Sequence, residues 1–288
     1  MNASRLPEWV HAYLEYIQVP LKNPSYEYLI DLCTAHLNNI PFENISTLLQ
    51  YKHGWDIPNE EQFVHQLHEN HMGGTCYAIN SNFCSLLNHL GFYCRYTQLG
   101  TIHLGMLVQM PHKDEYVYAD CGTAAPLFEP LRFETDPHNI SSFGGISVLI
   151  HPEEEPGGYT FYRYVDGSLI KQTLWSFNIK QTYSFNDFTT PIQEYFQPGS
   201  LFMTTLRCQM WQQKKNRSLS LVNNILNIRD INGEVEKHEL SSIKDIRNVI
   251  EKEFQLPHLP LEEAVTVLQE LGIDIFQHPR KDHNVNLG

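Results

Sequence analysis

The chain has 288 residues, 42% of them hydrophobic and 12% aromatic, which supports a large core and argues against disorder. Its net charge of -13 supplies no positive field for nucleic acid or an anionic membrane. No apolar run approaches the ~18 residues of a membrane span.

The N-terminal "MNASRLPEWVHAYLEYIQ" is amphipathic, interrupted by Pro7, and has no basic segment leading into an apolar one, so it does not read as a secretory signal. Asn23-Pro24 predicts the start of a helix with Pro24 at its first position, and Leu29, Leu32, Cys33 and Leu37 mark its apolar face. Asn59 with Gln62 resembles a capping box ahead of Phe63, Val64 and Leu67. In "HENHMGGTCYAINSNFCSLLNHLGF", the residues Ile79, Phe83, Leu86, Leu87 and Leu90 form a helical stripe that Gly91 is placed to end. From about Tyr96 the pattern becomes short β-branched or aromatic runs: "HLGMLVQM", "EYVYADCG", "ISVLIH", "YTFYRYV" and "LIKQTLWSF". They predict an antiparallel sheet closed into a barrel. After Pro198 come "SLSLVNNILNIRD" and "EVEKHEL", joined across Ile231-Asn232-Gly233. Two helices follow, marked by Ile243, Ile246, Ile250 and Phe254, then by Leu261, Ala264, Val265 and Leu268, stopping at Gly272. The expected organisation is α+β: a helical domain over 1–95, a β domain over 96–195 and a mixed α/β domain over 196–288. The basic run Lys214-Lys215-Asn216-Arg217 reads as a solvated turn between strands.

None of the six cysteines (33, 76, 84, 94, 121 and 208) makes a C-x-x-C pair, so neither a zinc knuckle nor a thioredoxin motif is supported. The expectation is a cytoplasmic protein with reduced thiols. Cys76 differs from the others in its place. It extends the apolar stripe to the helix's first turn, where unpaired N–H groups and the positive end of the helix dipole favour a thiolate. Gly73 and Gly74 before it allow close approach of backbone or ligand.

A nucleophilic cysteine needs a base, and the base an orienting group. "HLGMLVQM" and "EYVYADCG" read as consecutive hairpin strands with "PHKD" as turn. Pairing the face of Leu104, Met106 and Val108 with that of Val117 and Ala119 sets Gln109 opposite Asp114 and His103 opposite Asp120. A slip of two residues keeps His103 and Asp120 on one face; a slip of one would separate the apolar sets. The hydrophobic pattern therefore predicts a His103–Asp120 pair, although hairpin geometry does not show that Cys76 reaches it. His65, His68 and His71, spaced by three, drift around a helix and lack a completing ligand, so no metal is expected. G-x-S-x-G, P-loop and G-x-G-x-x-G motifs are absent.

"HLNNIPFENI" (36–45), "GGTCYAIN" (73–80), His103 on its strand and "ADCG" (119–122) together resemble the arylamine N-acetyltransferases. That family shows I-P-F-E-N-[LI], R-G-G-x-C-[FYL]-[EQ]-x-N, a histidine strand and D-x-G-F-G. "QPGSLFMTTLRCQM", "LVNNILNIRDING" and "FQLPHLPLEEA" are similar to its later segments, so the likeness covers nearly the whole chain. It implies a helical bundle carrying the cysteine, a β-barrel and an α/β lid around a core like that of the cysteine proteases. It also implies a triad of Cys76 as nucleophile, His103 as base and Asp120 as orienter. Acetyl-CoA would be a co-substrate rather than a bound cofactor. The acetyl group would pass through a Cys76 thioester to an arylamine or hydrazine, with Gly74, Thr75, Gly122, Thr123 and Ala124 around the substrates. The working form would be a monomer or a homodimer. Alternatives that keep the triad are an amide synthase or a papain- or transglutaminase-like hydrolase. A further alternative is an inactive relic.

The chain also departs from the pattern. Met72 and Tyr16 stand where the family has arginines near Glu43, Ala78 replaces Glu or Gln, and Thr123 and Ala124 replace Phe and Gly. Without those two cations, Glu43 is expected to have found other donors or solvent.

Overall fold

The computed structural model describes residues 6–54 and 56–277. Four helices, α1 (Glu8–Ile17), α2 (Tyr26–Asn39), α4 (Glu60–Asn70) and α5 (Cys76–His89), bury their apolar faces in one cluster with Met106, Val108, Val117 and Ala119 of the strands that follow. α2 starts two residues later than Pro24 predicts. Ser25 is its N-cap, accepting from the Tyr28 N–H at 3.1 Å, so Pro24 lies outside the helix. The Asn59–Gln62 capping box is formed in both directions. Gly91, at φ +86°, ends α5 with the Gly91 N–H on Asn88 and the Phe92 N–H on Leu87, the paired bonds of a Schellman turn.

The central strands form two open sheets rather than the expected barrel. β2 (Tyr93–Leu99), β3 (His103–Gln109) and β4 (Tyr116–Ala119) make one sheet. β5 (Ile140–Phe143), β6 (Ile146–Pro152), β7 (Gly158–Val165) and β8 (Ser168–Leu169) make the other, with β9 (Trp175–Asn178) also on β7. No strand ladder among the described residues joins the two sheets: the first sheet's bridges to other segments, Tyr96 to Tyr183 and Tyr118 to Leu131, are isolated, and the Gly100 N–H after β2 adds a single bond to the Ser176 carbonyl of β9. The chain after β4 runs through Pro126 and Pro130, which lack ladder donors, so it does not continue the sheet toward closure. The sheets meet through an apolar layer of Leu99, Leu107, Tyr118, Val148, Ile150, Phe161 and Phe177.

A third antiparallel sheet has the order β1 (Phe42–Glu43), β10 (Arg207–Gln212), β11 (Arg217–Val222), β12 (Ile225–Asp230) and β13 (Val235–Glu239). The run "SLSLVNNILNIRD" is thus two strands, β11 and β12, turned at Asn223-Asn224 with Asn223 at φ +54°. The short strand β1 comes from the largely helical N-terminal stretch and pairs Phe42 with Gln209 and Glu43 with Cys208. α3 (Ile45–His53), α6 (Ile243–Lys252) and α7 (Leu261–Glu270) share a second core with this sheet. Lys214 and Lys215 sit in the β10–β11 turn. No helix among the described residues is long and apolar enough to cross a membrane.

Candidate active site

Cys76 is the first residue of α5 and is partly exposed, while the other five cysteines are buried. Thr75 is the N-cap, but its hydroxyl does not cap the helix. It accepts instead from the Tyr195 hydroxyl at 2.7 Å, and Tyr195 also meets Thr47 at 2.8 Å. The first-turn N–H groups beside Cys76 are thus left without a capping side chain, which favours negative charge at that end. Gly122 lies against the cysteine: a Cβ there would sit 2.6 Å from the Cys76 Cα and 3.1 Å from its Cβ.

His103 and Asp120 meet as the hydrophobic pattern predicts, with Nε2 2.7 Å from Oδ2. The register differs by two residues from direct opposition: Met106 pairs with Ala119, and Gln109 with Tyr116. The turn is the reason. Met110 stays in the ladder by donating to the Glu115 carbonyl, and the buried Glu115 is fixed by Arg132 at 2.7 and 2.9 Å, so the loop is residues 111–114. His103 and Asp120 become diagonal neighbours on one face. Asp120 is fully buried, and its four donors are His103 Nε2 and the Tyr118 hydroxyl (2.5 Å) on Oδ2, and Asn80 Nδ2 (2.7 Å) and the Gly122 N–H (2.8 Å) on Oδ1. Asn80 also donates to the Leu104 carbonyl and accepts from the Cys121 N–H, tying α5 to both strands.

Burial disfavours a charged His103. The negative charges of Asp120 and Cys76, with hydrogen bonds to both, outweigh it and raise its pKa from 6.5 to about 10. Since Nε2 faces Asp120, Nδ1 is the ring nitrogen left for Cys76. Trp175 stacks on the imidazole, with centroids 4.8 Å apart and planes at 13°, which favours the cation as well.

Cys76 and His103 open into a cavity of about 260 Å³. Its walls are mostly apolar, with Phe42, Tyr77, Trp175, Tyr195 and Phe202 among them and Glu194, Arg207 and Gln209 as polar members. Thr75, Gly122, Thr123 and Ala124 line it as well. Gly74 is not a lining residue; at φ +96° it gives its N–H to Glu43. The arrangement sets a helix-start thiol and a carboxylate-held imidazole at the mouth of a mostly apolar slot.

A family model described as N-acetyltransferase matches residues 25–262. The chain belongs to the N-acetyltransferase family. An arylamine N-acetyltransferase / N-hydroxyarylamine O-acetyltransferase of Salmonella typhimurium is 30% identical over 143 residues, 46% of this chain and 50% of that protein. The chain thus spans about half the length of the curated relative it matches. In three dimensions it resembles the arylamine N-acetyltransferase from Salmonella typhimurium (TM-score 0.76, 20% identity, 92% of this chain and 100% of that one). It also resembles the Mycobacterium marinum arylamine N-acetyltransferase in complex with CoA (TM-score 0.73, 18% identity, 91% and 99%). At these identities the likeness is one of fold.

The N-acetyltransferase pattern departs here in ways the structure explains. Glu43, fully buried, accepts from the Gly74 N–H at 2.7 Å and the Ser46 N–H at 2.9 Å, with further bonds from the Ser46 hydroxyl and the Ile45 N–H. It has therefore found other donors, as expected. Apart from the Ser46 hydroxyl they are backbone N–H groups, two of them opening α3, so a helix end stands in for two arginines. Burial pushes the Glu43 carboxyl up and these bonds pull it back. Met72 is buried in the second core, and the Tyr16 hydroxyl lies 3.3 Å from His71 Nδ1. Glu43→Gln turns one acceptor oxygen toward an N–H as a donor, and urea denaturation is expected to show a loss of about 1–3 kcal/mol. An unchanged midpoint would mean that these bonds do not hold the α3–Gly74 junction.

Ala124 keeps, at φ +54°, the left-handed backbone that suits the family's glycine, at a cost of about 1–2 kcal/mol. The buried Arg163 helps hold it by donating to the Thr123 and Ala124 carbonyls at 3.4 Å each. With Thr123 in place of Phe, the aromatic walls come from other elements, notably Trp175 of β9 and Phe202. The histidine trio is not assembled: His65 is exposed, His68 faces the Ala12 carbonyl and His71 faces Tyr16. No metal-holding group of His, Cys, Asp and Glu occurs among the described residues.

Sequence reasoning missed Asn80, Tyr118, Tyr195 and Trp175. Asn80 and Tyr118 carried a signal, since one is four residues along the helix from Cys76 and the other two along the strand from Asp120, each on the same face. Tyr195 and Trp175 come from distant segments with no local cue.

Proposed function

We propose that this protein is an acetyl-CoA-dependent N-acetyltransferase of arylamines or hydrazines, working by a ping-pong mechanism through a Cys76 acetyl-thioester. The observation that carries the reading is the buried His103–Asp120 pair beside a helix-start cysteine, opening into an aromatic-walled cavity. The Cys76 thiolate attacks the acetyl carbonyl, the bond to the CoA sulfur breaks, and His103 gives that sulfur its proton. The amine nitrogen then attacks the thioester. His103 takes a proton from the nitrogen, the amide leaves, and the imidazolium–thiolate pair is restored. Asp120 holds the tautomer and balances the imidazolium. Stacking between aromatic walls suits a flat amine.

Intact-mass analysis after incubation with acetyl-CoA alone tests this. One acetyl group is expected on the protein, located on Cys76, absent from Cys76→Ala, and discharged by an arylamine. Rapid iodoacetamide labelling of Cys76 without acetylation would favour an amide synthase or hydrolase using the same triad. Neither modification would indicate a relic.

A further inference from the structure

Tyr118 is two residues before Asp120 on β4, and His103, Gly105, Leu107, Tyr118 and Asp120 share one face of the hairpin. Its hydroxyl lies 2.5 Å from Asp120 Oδ2, the oxygen that His103 Nε2 meets at 2.7 Å. Tyr118 and Asp120 are both fully buried. The ring is held by Phe161 and Phe177, each with its centroid 5.9 Å away. Packing alone would be met by phenylalanine, so the hydroxyl is the part that needs a reason. Gly105 supports the same point. A Cβ there would lie 2.8 Å from the Tyr118 hydroxyl and 2.8 Å from its Cε2. A glycine inside a strand weakens it, and here it admits the phenol.

We infer that Tyr118 is a positioning residue of the triad, whose phenol shares the Asp120 oxygen that faces His103 and so keeps His103 able to release its proton during acyl transfer. This rests on the function proposed above. A second donor on Oδ2 spreads that oxygen's charge and lowers its pull on the imidazolium. Removing the donor raises the affinity of the coupled His103–Asp120 pair for its proton. An imidazolium that holds its proton too firmly is a poor acid toward the departing CoA sulfur. The other groups around the pair are Cys76 and the Asn80 amide from α5, Cys121 after β4, Trp175 from β9, and Arg163 from β7. The Arg163 guanidinium points to the Thr123 and Ala124 carbonyls. The donors to Asp120 Oδ2 are His103 and Tyr118.

The test is the titration of His103 by NMR in histidine-labelled protein, with its signal assigned through His103→Gln. A Cys76→Ala background removes the thiolate's contribution. Adding Tyr118→Phe is expected to move the midpoint up by roughly one pH unit, and Gly105→Ala, which crowds the hydroxyl off Asp120, is expected to move it the same way. In protein with Cys76 restored, Tyr118→Phe is expected to slow Cys76 acetylation by acetyl-CoA with the same change of pH profile. A His103 midpoint in Tyr118→Phe matching the parent would overturn the inference and leave Tyr118 as part of the wall. So would a Tyr118→Phe chain that fails to fold, because the hydroxyl would then serve stability. If unsubstituted protein takes no acetyl group from acetyl-CoA, the proposed function fails, while the His103 shift still reports on Tyr118.

Discussion

Asp120→Asn is expected to lower the rate of acetyl transfer by on the order of 10³- to 10⁴-fold. The carboxylate holds His103 through Oδ2 at 2.7 Å and supplies the charge that offsets burial of an imidazolium. An amide either presents N–H to the ring, forcing the wrong tautomer, or accepts without a full charge. The same substitution reads out in stability. His103 has its folded pKa raised to about 10 from 6.5, so its contribution is fully present below about pH 6.5 and is lost as pH rises through about 10. Thermal unfolding from pH 6.5 to 10 should therefore decline more steeply for unsubstituted protein than for Asp120→Asn. Transfer within tenfold of the unsubstituted rate, or parallel pH–stability curves, would remove Asp120 from the role proposed for it.

The second large effect is expected at Gly122. An alanine methyl would stand 2.6 Å from the Cys76 Cα and 3.0 Å from Asn80 Nδ2, and neither neighbour can yield easily. Cys76 begins α5, and Asn80 is bonded to Asp120, the Leu104 carbonyl and the Cys121 N–H. Gly122→Ala therefore has to push the nucleophile or the Asp120 loop. A misplacement near 1 Å costs about 10²-fold in a positioned reaction, and overpacking costs about 1–3 kcal/mol of stability. The check is the single-turnover rate of Cys76 acetylation, followed by mass, beside a urea melt. A rate within twofold of the unsubstituted protein would show that the loop can retreat and that the close approach has no part in catalysis.

The parts of the site visible in the sequence are those set by short-range periodicity. The stripe from Ile79 to Leu90 placed Cys76 at a helix start, and alternation on two strands put His103 and Asp120 on one face even though their exact register depended on a turn. That turn was set by Glu115 and its partner Arg132, a contact no strand pattern announces. The same limit explains the barrel. Alternation predicts strands but not closure, and closure failed where prolines follow β4. β1 was invisible because two residues carry no period. Likewise, no local rule links Phe42, Trp175, Tyr195 and Phe202, which meet only because their segments converge on one cavity.

The pairing of β1 with β10 also bears on the order of assembly. Asn44 and Arg207, joined at 2.7 Å beside that pairing, stand 163 residues apart. His103 and Asp120 are 17 apart and belong to one hairpin. Loop closure and contact order make the first contact slow and the second fast. The proton-handling half of the site can therefore mature within a local hairpin. The cavity beside it, lined in part by Phe42, Arg207 and Gln209, waits for a strand that emerges only after most of the chain has been made.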